Sequence, residues 1–204
     1  MVSGMPKSWV RQRKRDSYYK KAKATGYRSR AAYKLIQINE KFGIIHQGDF
    51  VVDLGAAPGS WSQVAVELVG KEGRVIAVDR KRMQPIDGVT VIRGDLTHPD
   101  IFESIHEETK DGVDVVISDM APRLGGNKHL DHARSISLAE TALDFSIETV
   151  RRGGNFLAKA FRGDLFPAYM EMVSSRFDFC KPHSPKASTS SSREVFVVAK
   201  GFRG

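Results

Sequence analysis

Apolar and polar residues alternate along this chain in blocks that predict a mixed α/β fold. Seven short runs rich in Val, Ile, Phe and Ala are typical of strands, and they lie at 50–54, 74–79, 89–92, 113–118, 154–159, 177–181 and 194–200. Runs with helical spacing of apolar residues lie between them, near 60–70, 99–109, 132–151 and 164–175. Because strand and helix signals alternate, we expect a parallel sheet with helices on both faces.

The last two predicted strands depart from this alternation. Only the polar loop KPHSPKASTSSSR separates them, and it carries no helix signal. A connection without a helix is typical of antiparallel neighbours. The pattern therefore predicts a Rossmann-like, seven-stranded, mostly parallel sheet whose last strand is antiparallel.

A further helix is predicted before the first strand. Ser29 is placed to cap it and Gly43 to end it. Its apolar positions follow helical spacing, at Ala31, Leu35, Ile38 and Phe42. Lys34 interrupts that apolar side, so we expect it to lean toward the body of the protein. The alternative is that only its aliphatic stem lies along the core, with the ammonium group in water.

Composition indicates one soluble domain. The chain has 204 residues, of which 41% are hydrophobic and 27% charged, enough for one sizeable core. A single cysteine, Cys180, excludes an internal disulfide and a zinc cluster of cysteines, so we expect a reducing cytoplasm. No apolar run is long enough to span a bilayer, and the N-terminus begins with polar and basic residues. We expect no membrane partner, and a monomer.

Positive charge is concentrated at the N-terminus. Residues 1–34 hold eleven Lys and Arg against one acid, Asp16, whereas residues 35–204 have a net charge of −2. The aromatic residues interleaved there are Trp9, Tyr18, Tyr19, Tyr27 and Tyr33. A charge run is often only a solvated surface, but cations for phosphates and rings for bases together favour RNA. We therefore predict an RNA-binding segment at 1–28, followed by a single domain at 29–204.

The segment FVVDLGAAPGSW, at 50–61, joins a buried strand to a helix through a tight turn. Gly55 and Gly59 allow unusual backbone torsions, and Pro58 stiffens the loop between them. Ala57 occupies the position of the second glycine in a dinucleotide fingerprint, and no Gly-Lys-Ser/Thr follows, so neither a nicotinamide site nor a P-loop is indicated. The turn is either a simple strand-to-helix connection or a site for a nucleoside ligand that carries a cation.

S-adenosylmethionine is a ligand of that second kind. Its amino group and sulfonium would lie near Asp53, and its adenosine would extend across the neighbouring strand ends. Carboxylates follow three further strands, because Asp79, Asp95 and Asp119 end VIAVD, VIRGD and VVISD. Ligands of open parallel sheets bind beyond the carboxyl ends of the strands. Asp79 is suited to the ribose hydroxyls and Asp95 to the adenine amino group, although Asp95, like Thr97, is also placed to cap a helix.

Lys159 lies at the end of the strand NFLAK. Its apolar surroundings would favour a neutral amine that accepts a proton, so it is a candidate general base. Glu194 begins the strand EVFVVA, where a charged residue could simply mark the strand entrance. The residues alone do not join Lys34 and Glu194 to Asp119 and Lys159.

The motifs together resemble those of the FtsJ-like heat-shock family of RNA ribose 2′-O-methyltransferases. The resemblance runs from about Arg28 to Gly201 and is carried by SRAAYKLIQINEKF, DLGAAPGSW, VDR, GD, SDMAP, LAKAF and SREVFVVA. It implies a class I methyltransferase fold and a catalytic tetrad of Lys34, Asp119, Lys159 and Glu194. It also implies cofactor contacts at Gly59, Trp61, Asp79, Asp95 and Asp119. Ser60 stands where bacterial members often have glycine, and the loop RLGGNKHLDH differs from familiar versions.

This resemblance predicts methyl transfer from S-adenosylmethionine to a ribose 2′-hydroxyl of RNA. Lys159 would take the proton, Asp119 would orient its amine and the methyl group, and Lys34 and Glu194 would orient the ribose. No metal is required, because no leaving oxyanion develops. The implied substrate is a uridine in the peptidyl-transferase region of large-subunit ribosomal RNA. The alternatives are a transfer RNA ribose methyltransferase, a non-catalytic ribosome-assembly factor and a small-molecule methyltransferase, the last of which leaves the basic segment unexplained.

Overall fold

A computed structural model describes residues 17–96, 98–189 and 192–204. The helices are α1 Ser17–Ala24, α2 Ala32–Phe42, α3 Ser60–Val69, α4 Pro99–Thr109, α5 Lys128–Thr149 and α6 Phe166–Arg176. The strands are β1 Phe50–Leu54, β2 Arg74–Asp79, β3 Val89–Arg93, β4 Val113–Ser118, β5 Val150–Phe161, β6 Phe177–His183 and β7 Glu194–Phe202. Within these ranges, no helix is both long enough and apolar enough to cross a bilayer.

The seven strands form one sheet in the order β3-β2-β1-β4-β5-β7-β6. Strands β1 to β5 pair in parallel, and β7 is antiparallel to both β5 and β6. This arrangement confirms the predicted sheet and the direction of its last strand. The parallel strands place their carboxyl ends along one edge, where the predicted site residues lie.

Helices cover both faces of the sheet. Side chains of β1 alternate between the two sides, so that Val52 and Leu54 pack toward α5 and α6 while Val51 packs toward α2 and α3. All three are fully buried. Near-continuous apolar strands of this kind are typical of a parallel sheet enclosed on both faces.

The boundary between α5 and β5 differs from the prediction of a helix at 132–151 and a strand at 154–159. Helix α5 begins at Lys128, because the Asn127 side chain accepts hydrogen bonds from the backbone N–H groups of His129 and Leu130. At its other end, Val150 already pairs with Val113 of β4. The ladder therefore starts four residues earlier than the apolar run suggests.

The start of α2 also differs from the prediction. The helix begins at Ala32, with Ala31 at its N-cap position and no side-chain cap. The Ser29 hydroxyl instead accepts hydrogen bonds from the Ala31 N–H, at 3.2 Å, and from the Ser60 hydroxyl, at 2.7 Å. Ser29 thus joins the start of α2 to the start of α3. The predicted end is confirmed, because Gly43 follows in a left-handed conformation.

Candidate active site

A cleft of about 340 Å³ lies at the carboxyl ends of β1, β2, β3 and β4. Four of the eight predicted cofactor-binding residues line it, namely Gly55, Asp79, Asp95 and Asp119. The remaining four are Asp53, Pro58, Gly59 and Trp61, and their side chains are not part of the lining. The cleft therefore lies where the strand-end rule predicts a ligand.

The loop that follows β1 requires glycine at two positions. Gly55 has a φ of +75°, and a Cβ added there would collide with the side chain of Met120. Gly59 has a φ of +104°, and its Cβ would lie 2.8 Å from a guanidinium nitrogen of Arg28 and 2.9 Å from Met83 Sδ. Pro58 also takes part in this packing, because its carbonyl oxygen accepts a hydrogen bond from Arg28. Gly59 and Pro58 thus shape the loop from its outer side.

The Asp79 carboxylate is held firmly at the end of β2. Its Oδ2 accepts a hydrogen bond from the Ala57 N–H at 2.9 Å, and its Oδ1 accepts one from the Lys81 N–H at 2.7 Å. These bonds tie Asp79 to the glycine loop and fix the direction of the carboxylate. Since each carboxylate oxygen has two lone pairs, Asp79 retains acceptor capacity for a pair of hydroxyls in the cleft.

Asp53 lies under the glycine loop and is fully buried. Its Oδ2 accepts a hydrogen bond from the Ser62 hydroxyl at 2.6 Å, while its Oδ1 has no partner among the described residues. The pKa of Asp53 is raised to about 7, chiefly by burial; the carboxylates of Asp119 and Asp79 also raise it, and the hydrogen bond from Ser62 lowers it. A buried acceptor without a partner fits a cationic ligand group.

The Trp61 side chain lies away from the lining of the cleft. Its indole is buried in the core between α2 and α3, where Nε1 donates to the Ala31 carbonyl oxygen at 2.9 Å. The ring centroid lies 5.7 Å from that of Phe196. The indole therefore cannot contact a nucleoside in the cleft, and only the backbone of Trp61 remains for that role.

The four predicted tetrad residues lie together beside the cleft. Lys159 Nζ donates hydrogen bonds to Asp119 Oδ1 at 2.8 Å and to the Asp119 carbonyl oxygen at 2.7 Å. Glu194 lies between the two lysines, with Oε1 3.8 Å from Lys159 Nζ and Oε2 2.9 Å from Lys34 Nζ. A continuous chain of polar side chains therefore leads from Lys34 to Asp119, which lines the cleft.

Strand direction explains why Glu194 is part of this group. Because β7 is antiparallel to β5, its first residue lies opposite Phe161, at the carboxyl end of β5. Lys34 approaches from α2 and lies 5.4 Å above the centroid of the Phe196 ring. Lys34 is buried, with 9% of its surface exposed, which confirms that it leans into the body of the protein.

Glu194 is held as a carboxylate by its neighbours. Burial on its own would raise the pKa of this group, but Lys34, Lys159 and hydrogen bonds from Lys34 and Ser192 outweigh it. The pKa of Glu194 is therefore below its usual value. A charged Glu194 therefore lies between the amino groups of Lys34 and Lys159 and holds both side chains in place.

Most of the predicted base-stacking rings in the N-terminal segment are packed within the protein. Tyr33 is buried, and the ring centroids of Tyr18 and Tyr27 each lie 5.7 Å from its centroid. Tyr19 has 39% of its surface exposed and remains accessible. Trp9 lies outside the described residues. The tyrosine cluster attaches α1 to α2, the helix that carries Lys34.

Sequence reasoning missed three arginines around the cleft. A second cavity beside the cleft is lined by Arg80, Arg123 and Arg134. The two cavities share Arg80, Ala121 and Leu138. The net charge of residues 35–204 concealed the three arginines, because acidic residues elsewhere balance the total. A local signal was available, since Arg80 directly follows Asp79 and Arg123 directly follows the SDMAP motif.

Solved structures share this architecture. A ribosomal RNA methyltransferase from Plasmodium falciparum is 30% identical to the chain and superposes with a TM-score of 0.79, covering 87% of this chain and all of the other. A SAM-dependent O-methyltransferase from Thermotoga maritima, 14% identical with a TM-score of 0.57, has a similar fold. The chain therefore has the class I methyltransferase fold.

Sequence relatives match nearly the whole chain. A protein from Methanocella arvoryzae named ribosomal RNA large subunit methyltransferase E is 53% identical, across 93% of this chain and 73% of its own length. A protein of the same name from Methanothermobacter thermautotrophicus is 45% identical, across 98% of this chain and 96% of its own. The family model of the FtsJ-like methyltransferases matches residues 27–202. The chain therefore belongs to the FtsJ-like methyltransferase family.

Proposed function

We propose that this protein transfers a methyl group from S-adenosylmethionine to a ribose 2′-hydroxyl of large-subunit ribosomal RNA. The position of Asp119 is the observation that carries the proposal. Asp119 lines the 340 Å³ cleft, which we call the cofactor cleft. Its carboxylate and carbonyl oxygens both accept hydrogen bonds from Lys159 Nζ. A methyl donor in the cleft and a hydroxyl beside Lys159 would therefore meet at Asp119.

The cleft fits S-adenosylmethionine in its charges. The fixed carboxylate of Asp79 provides acceptors for the ribose hydroxyls, and the buried Asp53 beneath the glycine loop adds negative potential that favours a cationic group in the cleft. When bound, the cofactor supplies an electrophilic methyl group on a sulfonium. The adenine amino group would compete with Arg80 for Asp95, because Arg80 lies 3.2 Å from Asp95 Oδ2.

Lys159 has suitable geometry for a general base. A neutral amine has two hydrogens and one lone pair, and the two oxygens of Asp119 accept both hydrogens. The lone pair is then directed away from Asp119 and can take the proton of the 2′-hydroxyl. The ribose oxygen forms its bond to carbon as the sulfur–carbon bond breaks, and the proton remains on Lys159. A positioned base of this kind contributes about a hundredfold or more to the rate.

Lys34 and Glu194 would hold the ribose and balance charge. Their 2.9 Å ion pair keeps Glu194 close to Lys159. When Lys159 takes up the proton, the Glu194 carboxylate is in place to stabilise the new positive charge. Because both side chains are largely buried, this stabilisation is screened less by solvent than a surface pair would be.

Large-subunit ribosomal RNA is the preferred substrate because both relatives described above are named for it. Within that RNA we propose a uridine of the peptidyl-transferase region, presented on an assembling subunit in the cytoplasm to a monomeric enzyme. The single cysteine, Cys180, is consistent with a reducing compartment. A transfer RNA anticodon loop remains the rival substrate, and a non-catalytic assembly role the rival function.

Labelled methyl transfer tests the proposal directly. Total RNA from cells that lack this gene is incubated with the protein and S-adenosylmethionine labelled in its methyl group, and the product is mapped by nuclease digestion. We expect label on one ribose of the large-subunit RNA. Label confined to transfer RNA would establish the rival substrate. Tight RNA binding without any transfer of label would establish the assembly role.

The N-terminal segment is proposed to capture this RNA. Deleting residues 1–16 removes the cations Lys7, Arg11, Arg13, Lys14 and Arg15 and leaves helix α1 complete. We expect RNA affinity to fall at low salt and the difference from the full chain to shrink as salt rises. Cofactor affinity, measured by calorimetry, is the control and should be unchanged. Equal RNA affinity of the two proteins at low salt would assign the segment to another partner.

A further inference from the structure

A cavity of about 420 Å³ opens beside the cofactor cleft, and three of its seven lining residues are arginines. Arg80 comes from the end of β2, Arg123 from the loop after β4, and Arg134 from the first half of α5. The other lining residues are Ala121, Pro122, Ser137 and Leu138. No carboxylate is among them, so the cavity wall is positively charged.

Two of these arginines are uncompensated. Arg123 and Arg134 are exposed and form no ion pair or side-chain hydrogen bond within the described ranges. Arg80 does have a partner, Asp95, on the side of the cofactor cleft. Three guanidinium groups around one cavity repel one another, and an anion between them removes that repulsion. Arginine is favoured where phosphate is bound, because its planar fork donates two parallel hydrogen bonds.

The position of the cavity relates it to the proposed reaction. Met120, Ala121 and Pro122 separate Asp119, which holds Lys159, from Arg123. Four residues of fully extended chain span at most about 14 Å, so the Arg123 backbone lies within that distance of Asp119. A strand of RNA whose target ribose is at Asp119 would pass its neighbouring phosphates close to the cavity.

We propose that Arg80, Arg123 and Arg134 bind a backbone phosphate of the RNA beside the nucleotide that is methylated. This inference rests on the proposed function and extends it to a particular contact. It assigns a role in RNA positioning to the loop RLGGNKHLDH, which begins at Arg123. Arg80 joins the two sites: a cofactor that draws Asp95 toward its adenine would free Arg80 for the phosphate, so cofactor and RNA would strengthen each other's binding.

The test uses the variants Arg123→Ala, Arg134→Ala and the double variant. Arg80 is left intact because it lines the cofactor cleft. The matched control is Lys110→Ala, which also removes one exposed positive charge but follows α4, just before the amino end of β4. The RNA probe is a fluorescent 12-nucleotide oligouridylate, and the activity substrate is large-subunit RNA from cells that lack the gene.

Three measurements separate the possible results. When the double variant loses its contact with this phosphate, the slope of log affinity against log salt should shrink by about 0.7 relative to the control. The KM for RNA should rise severalfold in the double variant while kcat stays within about twofold, because uniform binding has been removed. Affinity for S-adenosylmethionine in the absence of RNA should match that of the wild type. Arg134→Lys should recover only part of the affinity, since lysine lacks the bidentate fork.

Other results would overturn the inference. A salt slope and KM equal to those of Lys110→Ala would show that the arginines contribute only general charge. A loss of cofactor affinity without a change in the salt slope would place the cofactor carboxylate, rather than RNA, in the cavity. Failure of the wild type to methylate any RNA would refute the proposed function instead, and the salt slopes would still report the phosphate contact.

Discussion

A cavity lies at each end of the central sheet, but the two ends differ in whether their polar groups have partners within the protein. The larger cavity, about 770 Å³, lies at the amino ends of the parallel strands, whereas the cofactor cleft at the carboxyl ends has about 340 Å³. At the amino end, Arg151 pairs with Asp114, and Asp114 also accepts a hydrogen bond from the Phe50 N–H. Lys200 donates to the Phe42 carbonyl oxygen. These polar groups are partnered within the protein.

The carboxyl end leaves polar groups with capacity for a ligand. Asp53 Oδ1 is buried without a partner among the described residues, and Arg123 and Arg134 form no ion pair in the same part of the chain. Lys159 is nearly buried between two carboxylates. Buried polar groups are ordinarily satisfied, so spare capacity of this kind marks a functional site better than cavity volume does.

The largest expected effect is on turnover, and it distinguishes Lys159 at the carboxyl end from Lys200 at the amino end. Lys159→Ala should lower turnover by roughly a hundredfold or more, with little change in affinity for cofactor or RNA, because the proposed base is lost. Lys159→Arg should fail almost as badly, since guanidinium retains its proton. Lys200→Ala, at the opposite end of the sheet, is the control and should retain turnover. Single-turnover methylation across pH measures all three, and an active arginine variant would end the assignment of Lys159 as a base.

The next effect concerns cofactor affinity at the carboxyl end. Asp79→Ala should weaken binding of S-adenosylmethionine by about 1–3 kcal/mol, the range for hydrogen bonds to a charged group. Asp79→Asn should lose less, because it keeps one acceptor oxygen for the loop or the ribose. Calorimetry measures both variants. Unchanged affinity in a folded Asp79→Ala protein would remove Asp79 from the cofactor site.

A smaller effect concerns the stability of the unliganded protein. The pKa of Asp53 is about 7, above the ordinary value of 3.8, so the folded state keeps a proton that the unfolded state loses between about pH 4 and 7. The wild type should therefore lose stability as pH rises through this window, by about 2 kcal/mol between pH 5 and 7. Asp53→Asn lacks this loss, so its free energy of unfolding should increase relative to the wild type over the same range.

Denaturant unfolding at several pH values measures this change. Asp111→Asn, at an exposed position, is the matched control and should follow the wild-type pH dependence. If the curves of Asp53→Asn and the wild type were parallel between pH 5 and 7, Asp53 would be ionised throughout. The spare acceptor capacity at the carboxyl end would then belong to a carboxylate that is already charged.

Much of the fold was predictable because apolar runs, and the order of strands and helices along the chain, can be read directly from the sequence. The strand-end aspartates followed from that order, since parallel strands bring their carboxyl ends to one edge. The ion pair of Lys34 and Glu194 did not follow from local sequence, because the two residues are 160 positions apart and join through the antiparallel placement of β7. Only the family resemblance indicated it.

The buried position of Trp61 could have been predicted from helical spacing. Trp61, Val64 and Ala65 share one face of α3, which is the spacing of a core-facing stripe, and all three are buried. The family resemblance implied a cofactor contact at Trp61 instead of a place in the core. The arginine cavity could be recognised only from the tertiary fold, because its three arginines come from separate segments. Their charge is not visible in the net charge of residues 35–204.

The position of β7 in the sheet also determines when the group of Lys34, Lys159 and Glu194 can be completed during synthesis. This strand is made after all the other described strands, yet it inserts between β5 and β6 rather than adding to an edge. Until β7 is inserted, the Glu194 carboxylate does not lie between Lys34 and Lys159. Contacts between residues so distant in sequence form late in folding. All the residues that line the cleft precede β5, so the ribosome has made them well before it makes Glu194, which links Lys34 to Lys159.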